Sequence, residues 1–290
     1  MRPGLRATLS CAAAVLSFLL ASLVTGLLAS GFHEPGSDSV LAKDSRLMLL
    51  MTMLSWLLAC PLLLGPCAAL AGLSRAGLGL SVPLSAVELL RGVLLGLLVF
   101  AAPAALGLLL GAWVELPAGS VQAPTGLAAS GQLVLLMLAL GVAAFGEELL
   151  CRGLFQSIFE GLWGARVGIL VSTLIFSFMH GANPGISALG VAGIALWGLL
   201  LGVVFATSRS LLLVSGLHFG WNFAVCGLMG LPVSGHRFAA VSRWESGTDG
   251  ALQLFFGGTF GPEEGLCFHL AILLALGLAL RAAAPIARTP

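Results

Sequence analysis

Gly146-Glu147-Glu148-Leu149-Leu150-Cys151-Arg152 sets three ionisable side chains inside a run otherwise built of Leu, Ala, Val, Phe and Gly. Such groups are costly in hydrocarbon, where they face a protein interior, a cavity or one another. On one continuous helix Glu148 and Arg152 stand four apart on one face, acid N-terminal to base, the favourable order for an ion pair. Glu147 points about a quarter turn away and has no such partner. The spacing predicts a structural pair beside a free carboxylate, both inside a membrane-buried bundle.

The composition calls for that bundle. Of 290 residues, 59% are hydrophobic and 9% charged, against about 25% charged in a soluble domain. The charges cluster and leave apolar runs of about 20 residues, enough to cross a hydrocarbon core. The expected fold class is all-α, a polytopic membrane protein of about eight transmembrane helices around an intramembrane catalytic cavity. The expected spans are 7–29, 47–73, 86–113, 132–159, 165–180, 188–207, 211–231 and 266–280. Residues 1–130 supply N-terminal helices (about three spans), 131–231 the next four spans, 232–265 an extramembrane loop, and 266–290 a last helix with a short tail. The 232–265 loop, rich in Gly and Ser and carrying Glu245, Asp249, Glu263 and Glu264, reads as a solvated connection. So does the loop over 31–46.

A net charge of +1 provides no basic surface, which argues against nucleic acid as a partner. The six cysteines form no CxxC pair and read as small hydrophobes, with no disulfide or thiolate metal site expected. Arg2 and Arg6 precede an apolar run that continues to about Ser30 without a small-residue cleavage site, so a retained first span is expected rather than a signal peptide. Arg2, Arg6, Arg75, Arg91, Arg166, Arg209, Arg281 and Arg288 fall on one side of the bundle; Lys43, Arg46, Arg237 and Arg243 fall on the other. That asymmetry puts both termini in the cytoplasm.

Three more polar positions interrupt apolar spans. Phe176 and His180 stand four apart at the end of the fifth, and His218 and Asn222 share a face of the seventh. Singly, an intramembrane His or Asn is commonly an interhelical hydrogen bond. Together with Glu147 they form a set that meets only in a bundle interior and suits hydrolysis. Glu147 would activate a water and later protonate the leaving amine, with His180 positioning or sharing that proton. His218 and Asn222 would donate hydrogen bonds to the developing oxyanion. Equally, Glu147, His180 and His218 are three candidate zinc ligands with an open fourth position. Because His180 closes its span while Glu147 lies mid-span, their meeting calls for tilted helices or irregular backbone, which Gly181-Ala182-Asn183-Pro184-Gly185 offers.

Glu147-Glu148-x-x-x-Arg152, Phe176-x-x-x-His180 and His218-x-x-x-Asn222, in that order, resemble the three motifs of the CPBP family, the CAAX proteases and bacteriocin-processing enzymes also called Abi proteins. The resemblance covers roughly residues 131–231. It implies an intramembrane endopeptidase of the glutamic or metal-dependent type built mainly of eight helices. It assigns water activation to Glu147 with His180 beside it, oxyanion stabilisation to His218 and Asn222, and supporting roles to Glu148 and Arg152. No cofactor is required on this reading, with Zn²⁺ as the alternative. The expected partners are the lipid bilayer and a client protein or peptide cut near its C-terminus or beside the membrane. A composition rich in Ala, Leu and Gly with a single lysine points to a bacterial inner membrane and a processing or sorting role. The competing readings are a noncatalytic scaffold or chaperone-like binder on the same fold, and a proton-coupled transporter.

Overall fold

The computed structural model describes residues 3–30, 45–80, 84–115, 126–238, 244–247 and 250–283. Nearly all of the expected 31–46 loop lies outside the described residues, as do the charges of Arg2, Lys43, Arg243, Asp249 and Arg288. The chain opens with α1 (Pro3–Ser30) and α2 (Ser45–Leu62, extended by a π turn at Leu63–Cys67 and by Ala68–Ala71). Then come α3 (Ala86–Leu109) and α4 (Gly126–Glu148), which continues through a π stretch, Leu149–Gln156, into Ser157–Trp163. The second half holds α5 (Ala165–Met179), α6 (Ala188–Ser208) and α7 (Leu211–Asn222, followed by a π stretch at Phe223–Leu228). The short α8 (Gly250–Phe256) and the closing α9 (Leu266–Ala283) complete the helices. All eight expected spans are helical, in an all-α polytopic membrane protein. Six are long and apolar enough to cross a membrane, whereas α5 and α9 are shorter.

Local chemistry sets the ends. Ser85, Ser187 and Ser210 each accept a hydrogen bond from the backbone N–H three residues on, capping α3, α6 and α7. The turns from α4 to α5 and from α6 to α7 pass through left-handed backbone at Gly164 (φ 87°) and Arg209 (φ 52°). Apolar side chains cover the outside of the bundle; Leu109 and Phe178 are 84% and 86% exposed, as suits a surface solvated by lipid.

Two expectations change. The third span stops at Leu109, because Trp113–Glu115 forms a strand (β1) paired antiparallel with Trp244–Ser246 (β2). The 232–265 segment is not a plain solvated connection: Val233, Phe256, Phe260 and Glu263 are all buried, and its described ends fold back onto the bundle.

Between α3 and α7 the backbones nearly touch. A Cβ on Gly92 or Gly96 would come within 2.1 Å of Leu213 O or 2.3 Å of Leu217 O; one on Gly216 or Gly220 would meet Leu89 O or Val93 O at 2.3 Å. Two small-xxx-small faces are thus opposed, an arrangement that lets helices pack closely where lipid removes any hydrophobic drive between them. This contact carries α7, and with it His218 and Asn222. Gly96→Ala and Gly216→Ala should each destabilise the protein by about 1–3 kcal/mol, the range for overpacking. Gly161→Ala, whose Cβ meets nothing within 4 Å, should leave it unchanged. Thermal unfolding in detergent compares the three.

Candidate active site

The helical hairpin of α4 and α5 brings Glu147 and His180 to one level. Glu147 precedes Trp163 by sixteen residues and His180 follows Ala165 by fifteen. At 1.5 Å per residue both stand roughly 23 Å from the Gly164 turn. An α5 of 15 residues is too short for a hydrocarbon core of about 30 Å, so His180 closes its helix within the bundle rather than at the far membrane surface. The apparent mismatch in depth between these residues comes from reading α5 as a full crossing.

Glu148 and Arg152 form the expected pair, Arg152 Nη1 to Glu148 Oε1 at 3.2 Å, both side chains fully buried. Glu148 Oε1 also lies 2.9 Å from His218 Nδ1. Arg152 donates from Nη2 to Gly198 O at 2.9 Å and stacks over the Phe176 ring at 4.5 Å. One ion pair therefore touches α5, α6 and α7 at once. Phe176 in turn packs against both imidazoles, its ring centroid 4.6 Å from that of His180 and 5.8 Å from that of His218.

The hydrogen bonds fix the tautomers. His180 Nδ1 lies 2.8 Å from Phe176 O, an acceptor only, so that nitrogen carries a proton, and in the neutral ring Nε2 presents a lone pair. His218 Nδ1 donates to Glu148 in the same way, which leaves Nε2 bare when the ring is neutral. Both Nε2 atoms face Glu147 Oε2, at 3.9 Å and 4.0 Å, and Oε2 accepts no hydrogen bond from the protein. The Glu147 side chain is 20% and that of His180 13% exposed, while Glu148 is wholly buried; Glu147 reaches the surface with part of its side chain, its Oε2 being itself buried. Asn222, one turn beyond His218, is half-buried and forms no hydrogen bond or ion pair with Glu147, His180 or His218 among the described residues. The structure brings three of the four predicted catalytic groups together and leaves Asn222 at their edge.

These distances bear on what the site holds. A water bonded at about 2.8 Å to Glu147 Oε2 and to one imidazole nitrogen would subtend an angle near 90°. Zinc, at about 2.1 Å from each donor, would need an angle near 137° instead of a tetrahedral one, or a closure of about half an ångström. Among the described residues no group of three His, Cys, Asp or Glu is spaced as a metal site. As placed, Glu147, His180 and His218 do not fit zinc.

Sequence reading missed Gln156 and Glu160. Gln156 donates to Gly202 O and to Glu160 Oε1, both at 2.9 Å, and accepts from Ser172 Oγ at 3.2 Å. Glu160 pairs with Arg209 at 2.6 Å. With Glu148 and Arg152 they form a polar column at four-residue intervals down α4. Continuing the four-residue spacing past Arg152 would have found it. Gly146 frees the opposite face of α4, where a Cβ would lie 2.3 Å from the Trp56 ring of α2.

Residues 129–224, which include every motif position, match a family model described as Type II CAAX prenyl endopeptidase Rce1-like. Over that segment the resemblance to the CAAX-protease family is borne out, with intramembrane proteolysis as the general activity the match supports. No curated protein matches the chain.

Arg152→Met leaves Glu148 as a buried charge without its cation and should cost about 3–5 kcal/mol. Glu147→Gln breaks no hydrogen bond and should stay within about 1 kcal/mol of wild type. Denaturant titration of the purified protein in detergent tests both; equal losses would show that the two carboxylates are not divided as described.

Proposed function

We propose that the chain is an intramembrane endopeptidase in which Glu147 activates water. The observation that carries this is the unpartnered Glu147 Oε2, set between two imidazole nitrogens that both offer lone pairs at 3.9 Å and 4.0 Å. A water held there can give a proton to Glu147 as its oxygen attacks the scissile carbonyl carbon. Collapse of the tetrahedral intermediate breaks the C–N bond, and the proton on Glu147 passes to the departing amine. His180, held by its Nδ1–H, orients the water and can share the proton.

His218 can share in stabilising the oxyanion when Nε2 is also protonated, as an imidazolium held by Glu148; as a neutral imidazole with its proton on Nδ1 it has no hydrogen to offer there. Asn222 is then the neutral amide donor toward the oxyanion. Glu148 and Arg152 act through His218 rather than on substrate. The 3.9–4.0 Å spacings support a metal-free route, and no cofactor is invoked. The clients we propose are membrane proteins or peptides cut near the C-terminus or in a membrane-proximal segment, as in bacterial processing or sorting. The excess of Arg on one side of the bundle supports cytoplasmic termini, and the Ala-, Leu- and Gly-rich composition with a single lysine supports a bacterial inner membrane.

The test is cleavage of a panel of membrane-embedded peptides by purified protein, with products identified by mass spectrometry. Glu147→Gln should lower kcat by at least about a hundredfold, the scale of general-base catalysis, while the fold is retained. Exhaustive chelation should leave wild-type kcat unchanged, with no stoichiometric zinc in the protein. Activity lost on chelation and restored by zinc would return Glu147, His180 and His218 to the role of ligands. A client bound but never cut would favour the noncatalytic scaffold.

A further inference from the structure

The segment between α7 and α9 is tied to the site by a relay of bonds. Glu263, 4% exposed, accepts on Oε1 from Ser234 N at 2.9 Å and from Ser234 Oγ at 3.3 Å. Ser234 is held at φ 48°, a left-handed conformation that a non-glycine residue adopts only when its surroundings enforce it. Its carbonyl accepts from Asn183 Nδ2 at 3.0 Å, and Asn183 N donates to His180 O at 3.0 Å. The 233–236 turn, closed by reciprocal Val233 and His236 bonds at 2.9 Å, therefore sits directly on the corner that ends α5. Contact is close: Gly235 N donates to Phe260 O at 2.7 Å, and a Cβ on Gly235 would meet Pro184 O at 2.0 Å.

The other end of the relay is immovable. Glu263 O accepts from His269 Nε2 of α9 at 2.8 Å and abuts α6, where a Cβ on Gly193 would come 1.7 Å from that oxygen. Glu264 accepts from Ser187 Oγ at 2.7 Å and from the backbone of Gly258 and Phe260. Burial pushes the Glu263 carboxyl up to about 7 against the Ser234 bonds that lower it. Burial also lowers His236. A carboxyl so thoroughly removed from water has no solvation role; its bonds to Ser234 are what it contributes.

We propose that Glu263 is a positioning residue for the active site: acting through Ser234 and Asn183, it sets the His180 imidazole against Glu147, and the 233–236 turn with residues 256–265 forms a roof on the corner that ends α5. The kinetic consequence rests on the peptidase reading; the placement of the corner does not. A roof that only added stability would change unfolding without changing turnover by folded enzyme.

The experiment compares Glu263→Ala, Glu263→Gln and Asn183→Ala in the full chain. It measures kcat and KM on a cleaved peptide, and backbone hydrogen exchange over residues 180–186. Loss of the relay should lower kcat about 10–100-fold, the cost of a misplaced catalytic group, with KM changed less than about threefold. The corner amides should exchange about tenfold faster while those of mid-α5 stay protected. Gln keeps an Oε1 acceptor for Ser234, so Glu263→Gln should restore both readouts. Should Glu263→Ala fail to fold, Asn183→Ala decides, since it strands no buried charge. Folded Ala variants with wild-type kcat and unchanged exchange overturn the proposal. If wild type cuts no peptide, faster corner exchange still upholds the positioning while the peptidase reading falls.

Discussion

A carboxylate buried completely in a membrane protein must be matched where it stands, and Glu148 is matched twice, by Arg152 and by His218. Arg152 is satisfied in turn by a carbonyl of α6 and a ring of α5. The relative rotation of four helices is thereby set by a group whose desolvation would cost several kcal/mol if any partner were withdrawn. The reactive geometry follows from it. Because His218 spends its proton on Glu148, its Nε2 turns a lone pair toward Glu147, as His180 does after donating to Phe176 O. Two adjacent glutamates thus differ in task because of their neighbours: one is enclosed and bonded through Oε1 to a guanidinium and an imidazole, the other has no hydrogen bond to its Oε2.

Lipid provides no hydrophobic force between helices, so this arrangement needs backbone approaches that only small residues allow. Gly92 and Gly96 against Gly216 and Gly220 bring α7 to α3, and Gly146 lets Trp56 lie on α4. Gly198 and Gly202 bare the carbonyls that Arg152 and Gln156 need. The π stretches begin directly after Glu148, with Arg152 inside the first, and directly after Asn222, and such irregular turns are frequent at functional sites.

The sequence made the helices legible because long apolar runs allow little else in a bilayer. It made the Glu148–Arg152 pair legible because four-residue spacing is a property of one helix. What it withheld belongs to contacts between helices. The tautomer of His218 depends on a carboxylate brought from another helix, whereas that of His180 is set within α5 by the Phe176 carbonyl. The level of His180 depends on α5 being shorter than a full crossing, which a hydropathy window does not resolve. The four-residue spacing that Gln156 continues is legible, but the α6 carbonyl it meets is not.

The 232–265 segment misled for a further physical reason. Gly, Ser and four acids are the composition of a solvated loop, and nothing local distinguishes a carboxylate facing water from one facing backbone N–H groups. Glu263 and Glu264 are of the second kind, taking Ser234, Gly258 and Phe260 amides as their solvent. Backbone donors are the one polar resource a Gly-rich loop has in excess once it is folded against a protein surface. Acids at the end of such a loop can therefore organise it from within. The same chemistry then recurs at both levels of the molecule: a buried carboxylate, gathering donors on its Oε1, holds still the groups around Glu147.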